Sequence, residues 1–455
     1  MSRPPSTLIG RPPGARSRMV DPRGLRAATF ALDPGPDIEA VELALGRPVP
    51  ALATLPSTRR GFFISSGISM IATRGTAAHL DMSSETGEPW ATSAAAEWLA
   101  GIPAEGDCPL PGIGPILVGA LPFDPRQPGE LVLPALAYVR APDGSEWLTV
   151  VTPAGAPPLQ GLERSDLPRA RGPGRGTLAS GRVLYADEKP FLRSVDRALA
   201  AIEDGLVRKV VLARHVDVEM PGNLSPAAVL QRLQALEPDC HSFAVVDDQS
   251  AFLGATPELL VSKRGSAVRT EPLAGTAGLN GDADSDRAAI EELLESAKDR
   301  MEHRMVVESI EAALSPLCEE LVVPSQPGIR RFRSVAHLAS TMTGALRGSR
   351  TSPSALDLVA RLHPTPAVAG TPLLPALRLL GELEGGTRGR YSGPVGWCDS
   401  RGDGDFVVGI RSAEIRGETA RMYAGAGIVD GSDPERELEE TSSKLRSTLA
   451  ALGVA

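Results

Sequence analysis

Val207-Arg208-Lys209-Val210-Val211-Leu212-Ala213-Arg214 is the stretch on which the reading of this chain turns. Its β-branched residues and its alternation describe a buried strand. On a strand Val207, Lys209, Val211 and Ala213 share one face, so Lys209 stands in an apolar row. The chain has only five lysines (Lys189, Lys209, Lys263, Lys298 and Lys444) among 47 basic residues. It uses arginine wherever any cation will serve, and a lysine inside an apolar strand asks for a reason. Desolvation favours the neutral amine, which can accept a proton, so Lys209 reads as a general base. The plain alternative is a lysine on an edge strand with its ammonium reaching water.

Around this strand the second half of the chain alternates helices and strands. Lys189 to Glu203 has helical periodicity ended by Gly205, and Ser225 caps a helix running to Leu236. Glu258 follows a Gly-x-x-Pro turn after a strand; burial would make it a proton donor, and an ordinary turn glutamate is the alternative. Asp286 to Leu314 reads as one long helix or two joined at a kink, with Asp299 and Glu302 three apart on one face. Tyr391 to Trp397 and Asp405 to Arg411 read as strands, with Arg411 on the face of Val407 and Gly409. Tyr423 to Val429 puts Gly425 and Gly427 on one strand face, where glycine signals a bulge or an approaching ligand. Asp433 and Pro434 open a final helix. Glu437, Glu440 and Lys444 share a stripe on it, either a solvated ion pair or carboxylates turned towards a cation. Hard oxygen ligands from two helices, Asp299/Glu302 and Glu437/Glu440, would suit Mg2+.

The first half is turn-rich, with strands at Gly61 to Ser65, Gly114 to Phe123 and Trp147 to Val151, a helix near Ala94 to Leu99, and no catalytic constellation. Residues 1–25, rich in Arg, Pro and Gly, read as a disordered tail. Residues 26–180 form the N-terminal part of the fold, with a Pro/Gly/Arg-rich loop near 153–181, and 181–455 form the catalytic region.

The net charge of -9, with acids and bases well mixed, argues against a nucleic-acid surface. No apolar run approaches a membrane span. Cys108, Cys240, Cys318 and Cys398 lack metal-ligand spacing and read as reduced thiols of a cytoplasmic protein.

Taken together, these segments resemble the chorismate-utilising enzymes, and within them the isochorismate synthases. The resemblance rests on nine motifs in the family's order. They are Lys-Val-Val-Leu-Ala-Arg from Lys209, Gly-Ala-Thr-Pro-Glu-Leu-Leu from Gly254, Leu-Ala-Gly-Thr from Leu273 and Lys-Asp-Arg-Met-Glu-His from Lys298. His-Pro-Thr-Pro-Ala-Val-Ala-Gly from His363, Tyr-Ser-Gly-Pro-Val-Gly-Trp-Cys from Tyr391 and Val-Val-Gly-Ile-Arg from Val407 follow. Tyr-Ala-Gly-Ala-Gly-Ile-Val from Tyr423 and Glu-x-x-Glu-Thr-x-x-Lys from Glu437 complete the set, which covers Tyr185 to Leu452. Gly-Ala-Leu-Pro-Phe-Asp from Gly119 is similar to the family's N-terminal half.

The resemblance implies an α/β fold of the α+β type: large, mostly antiparallel sheets surrounded by helices, with a deep central cleft. It implies Mg2+-dependent addition of water at C2 of chorismate with loss of the C4 hydroxyl. The product would feed 2,3-dihydroxybenzoate siderophores or menaquinone. Lys209 aligns with the base and Glu258 with the acid. Glu302 and Glu440 align with direct metal ligands, and Asp299 and Glu437 with positions that complete the shell. Tyr391, Arg411, Lys444 and the backbone N–H groups at Gly425 and Gly427 align with substrate-carboxylate contacts. Ala274, Gly275, Thr276 and His337 are carried over as substrate-binding positions. Aminodeoxychorismate synthases place a lysine where Ala274 stands, and anthranilate synthases lack the lysine that Lys209 supplies; water is therefore the expected nucleophile. Salicylate synthases share this arrangement and go on to expel pyruvate, and a non-catalytic chorismate-binding subunit is a further alternative. Ala277 departs from the family, many members of which carry arginine there. A monomer is expected, with an isochorismatase as downstream pathway partner.

Overall fold

A computed structural model describes residues 21–46, 60–67, 69–82, 90, 92, 94–156, 162–169, 181–348 and 352–454. Of the tail expected over 1–25, residues 1–20 lie outside the described residues; Pro22–Gly24 is a 3-10 turn leading into strand Leu25–Ala31. Most of the loop expected near 153–181 also lies outside them.

Among the described residues the strands form sheets of 13, 9 and 3 strands. Every pairing of named strands is antiparallel except Leu25–Ala31 with Ala104–Glu105. The two large sheets face each other, and period-two alternation decides which side chain goes where. In the larger sheet Phe62, Ile64 and Ile71 point between the sheets, where they meet Val118, Val395, Trp397 and Val407 of the smaller one. Phe63 and Ala72 point the other way, against helices Ala40–Leu45, Pro226–Leu236 and Pro434–Ala451. Behind the smaller sheet, Leu117, Phe406 and Val408 pack with residues of helices Ala297–Leu314, Ala355–Leu362 and Leu373–Leu383. The architecture is thus helices, sheet, sheet, helices, as the resemblance implies. No helix among the described residues is long and apolar enough to cross a membrane.

Both parts of the chain build both sheets. Gly61–Ser66 pairs with His241–Val246, and Ile116–Ala120 pairs with Pro394–Asp399. The acidic segment expected as one helix or two is two, Ala283–Glu295 and Ala297–Leu314, parted by Ser296, which caps the second.

Two strand expectations need correction. The segment read as Tyr391 to Trp397 becomes strand Pro394–Asp399, and the one read as Asp405 to Arg411 becomes Gly404–Val408. Ser392 donates its N–H to Gly409 O at 2.9 Å, and Gly409 to Gly393 O at 2.8 Å, so the two bends clamp each other. Ser392 (φ 62°) and Arg411 (φ 50°) both adopt the left-handed conformation that side chains disfavour. Arg411 therefore leaves a turn rather than standing in register with Val407.

Candidate active site

Lys209 is fully buried and does not lie on an open edge. Its strand, Lys209–Glu219, pairs along its whole length with Thr419–Val429. The opposite edge is closed piece by piece. Gly370–Thr371 pairs at Lys209 and Val210, Ala369 O accepts from Val211 N–H at 2.8 Å, and Glu384 Oε1 accepts from Ala213 N–H at 2.8 Å. Arg182–Ala186 takes over from Val216. The snorkelling alternative is excluded by this closure. The Lys209 Nζ lies 3.0 Å from Glu302 Oε1, but out of line for a hydrogen bond.

Gly427 makes room for that pair. A Cβ there would lie 2.3 Å from Glu302 Oε1 and 3.2 Å from Lys209 Cε. Gly427→Ala is expected to displace the Glu302 carboxylate and lower stability by about 1–3 kcal/mol through overpacking. A thermal melt measures it; an unaltered melting temperature would show that the carboxylate swings aside at no cost.

The pocket in front of this strand is lined wholly by residues from Val211 onward. It brings together Glu258, Ala274, Gly275, Thr276, Glu302, His337, Tyr391, Arg411, Gly425, Gly427, Glu440 and Lys444. Lys209, Asp299 and Glu437 are not in its wall. The Lys209 Nζ is 3.0 Å from Glu302, which is in the wall.

Glu258 is buried, and burial pushes its carboxyl up to about 8 against the opposing pull of neighbouring Lys209 and Lys444. The acid reading of the sequence thus meets a carboxyl held protonated at neutral pH.

Arg411 Nη2 donates to His337 Nε2 at 3.0 Å. A guanidinium has no acceptor, so the His337 proton belongs on Nδ1. From there it faces Gly275 O at 3.2 Å and Thr276 Oγ1 at 3.1 Å. Burial, with Arg411 and Lys444 nearby, holds His337 well below the usual histidine range, so it stays neutral. The Thr276 hydroxyl proton is left free to turn to a ligand. Gly275 sits at φ 75°, and a Cβ there would come 3.0 Å from Asp299 Cβ on the facing helix.

Gly425 O accepts from Lys444 Nζ at 2.9 Å. Pairing of its strand to Ser412–Arg416 ends at Met422, so this edge is open from there on. In an extended strand a residue's N–H and C=O point to the same side, and residues two apart share that side. The N–H groups of Gly425 and Gly427 thus face the open edge with the Gly425 carbonyl.

The four carboxylates proposed for a metal sit on helices Ala297–Leu314 and Pro434–Ala451, joined by Lys298 Nζ on Glu437 Oε1 at 2.7 Å. Glu440 holds Lys444 at 2.6 Å. Asp299 closes a cap on its own helix: Ser296 Oγ donates to Asp299 Oδ2 at 2.5 Å and accepts from Asp299 N–H at 3.1 Å. Among the described residues no three His, Cys, Asp or Glu side chains converge on one metal-binding point. The donor set nonetheless suits a hard divalent cation. Burial raises Asp299 and Glu437 above the usual carboxylate range; the neighbouring charges of Glu302 and Glu440 add to it at Asp299, and that of Glu440 at Glu437. Burial pulls the Lys298 ammonium down, yet Glu437, Glu302 and Glu440 together carry it above its ordinary value.

Two features escaped the sequence reading. Tyr423 stacks on Tyr391 with ring centroids 5.0 Å apart, and both line the pocket; these are two of the chain's four tyrosines. Lys298 carries no role in the sequence reading, although the scarcity of lysine that marks Lys209 marks it too.

The family model described as "Chorismate binding enzyme" matches residues 166–453, and the chain belongs to that family. Over 356 residues it is 41% identical to the "Putative isochorismate synthase MenF" of Mycobacterium tuberculosis, covering 75% of this chain and 88% of the relative. It is 35% identical over 405 residues to the isochorismate synthase EntC of Escherichia coli K12, covering 89% and 97% of the two chains. The solved structure of MenF, the menaquinone-specific isochorismate synthase from Escherichia coli, superposes with a TM-score of 0.76 at 28% identity, covering 96% of each chain.

Proposed function

We propose that this chain is an isochorismate synthase: it adds water at C2 of chorismate and expels the C4 hydroxyl as water, with Mg2+ as cofactor. The observation that carries the reading is Glu258, a buried carboxyl on the pocket wall, pushed up to about 8 and so able to donate a proton at neutral pH. Hydroxide is a poor leaving group, and an acid in that state meets the need. The names of the relatives in Mycobacterium tuberculosis and Escherichia coli support the same reaction.

As the free amine, Lys209 takes the proton from the attacking water, and Glu258 gives its own to the departing C4 oxygen. One water enters and one leaves, so the reaction is an isomerisation. The substrate brings two carboxylates. Arg411 and Lys444 supply cations for them, with the Gly425 and Gly427 N–H groups and the Tyr391 hydroxyl beside. His337 holds Arg411 in place through the 3.0 Å contact. Glu302 and Glu440 would hold the Mg2+, with Asp299 and Glu437 completing its surroundings. When bound, the ion neutralises a substrate carboxylate and draws charge as the ring double bonds shift. Ala274, with no amine to offer, leaves the C2 face to water.

The test is to incubate pure protein with chorismate and Mg2+ and follow products by NMR. Isochorismate as the accumulating product is expected. Free pyruvate without any added lyase would instead make the chain a salicylate synthase, and no turnover at all would favour a binding subunit.

A further inference from the structure

Three of the five lysines, Lys209, Lys298 and Lys444, each face one carboxylate of the acidic floor: Glu302 at 3.0 Å, Glu437 at 2.7 Å and Glu440 at 2.6 Å. Arginine does most other cationic work in this chain. A guanidinium grips a carboxylate with a planar fork, whereas an ammonium is a compact charge on a flexible stem that one rotation withdraws. Lysine is therefore the residue to use where an ion pair must be given up.

Lys298 shows this most plainly. It stands in the first turn of helix Ala297–Leu314, the end at which the helix dipole disfavours a cation. Its partner Glu437 stands in the first turn of helix Pro434–Ala451, where an anion is favoured. Glu437 is 2% exposed and Lys298 36% exposed at their side chains, so the carboxylate is fixed and the ammonium has a route to water.

We propose that Lys298 is an exchangeable counter-ion: it neutralises Glu437 in the metal-free enzyme, competes with Mg2+ for the carboxylate floor, and swings out to solvent when the ion enters. This inference rests on the Mg2+ reading above and adds to it a residue that sets metal affinity. The exchange breaks one ion pair and forms another, with no proton or electron transferred.

The test is calorimetric titration of Mg2+ into the whole protein, with circular dichroism to verify folding. Lys298→Met keeps the stem and removes the charge; its Mg2+ dissociation constant is expected to fall about tenfold, the scale of one like charge removed at short range in a partly buried site. Its metal-free melting temperature is expected to drop and to recover more on adding Mg2+ than the wild type's does. Lys298→Arg, which locks the pair, is expected to bind Mg2+ more weakly than the wild type. Wild-type binding combined with equal or weaker binding by Lys298→Met would overturn the counter-ion role alone. No Mg2+ binding by the wild type would overturn the metal reading and this inference with it. Should Lys298→Met fail to fold, Lys298→Gln takes its place with the same expected direction.

Discussion

Replacing Lys209 with alanine is expected to lower turnover of chorismate by roughly 10²–10⁴-fold, the usual worth of a positioned general base. The side chain is fully buried and paired only with Glu302, so its loss leaves a cavity beside a carboxylate without its partner. A fall in stability is expected as well, and Lys209→Met, which fills the space, separates the two effects. Both variants are expected to be inactive, while Lys209→Met melts closer to the wild type. Steady-state assay of isochorismate and a thermal melt decide the matter. Turnover within threefold or so of wild type in Lys209→Met would remove Lys209 from the role of base.

Glu258→Gln is expected to cost about the same, roughly 10²–10⁴-fold in turnover, because the amide keeps the shape and cannot give up a proton. Its pH dependence adds a sharper signature. In the folded protein Glu258 titrates near 8, against an ordinary 4.5. The acid works while protonated, so wild-type turnover on this limb is expected to fall as pH rises through about 8. Stability follows the same group. Between the two values the folded protein keeps a proton that the unfolded chain has released, so stability falls as pH rises across that window and levels off above it. Glu258→Gln has no such proton, and its melting temperature relative to wild type is expected to climb with pH across the same range. A constant difference would refute a protonated Glu258.

Much of the candidate site is legible in the sequence. The strand of Lys209 showed through its alternation, because half of its residues must meet a core on each side. Glu258, Thr276 and Lys444 stand out through segments whose order along the chain is itself informative. What stayed hidden depends on pairings between distant segments. Arg411 reaches the pocket from a bend clamped by Gly393 and Gly409 at a positive φ, and no local rule predicts that for an arginine. The spacing of Asp299 to Glu302 offers a carboxylate to a cation, and the same spacing from Ser296 also gives Asp299 a capping bond. The sharing of Glu302, Glu437 and Glu440 among three lysines depends on how two helices face each other, which periodicity along either one does not record.

The interleaving of early and late strands bears on how this chain can be handled. Gly61–Ser66 closes one side of His241–Val246, and Ile116–Ala120 closes one side of Pro394–Asp399. A fragment starting near residue 181 would carry every residue of the pocket and still expose two naked strand borders, each a template for clumping with its neighbours. Truncation is thus a poor route to a minimal catalyst, and during synthesis the first-made ribbons must wait for the last ones before either sheet is whole.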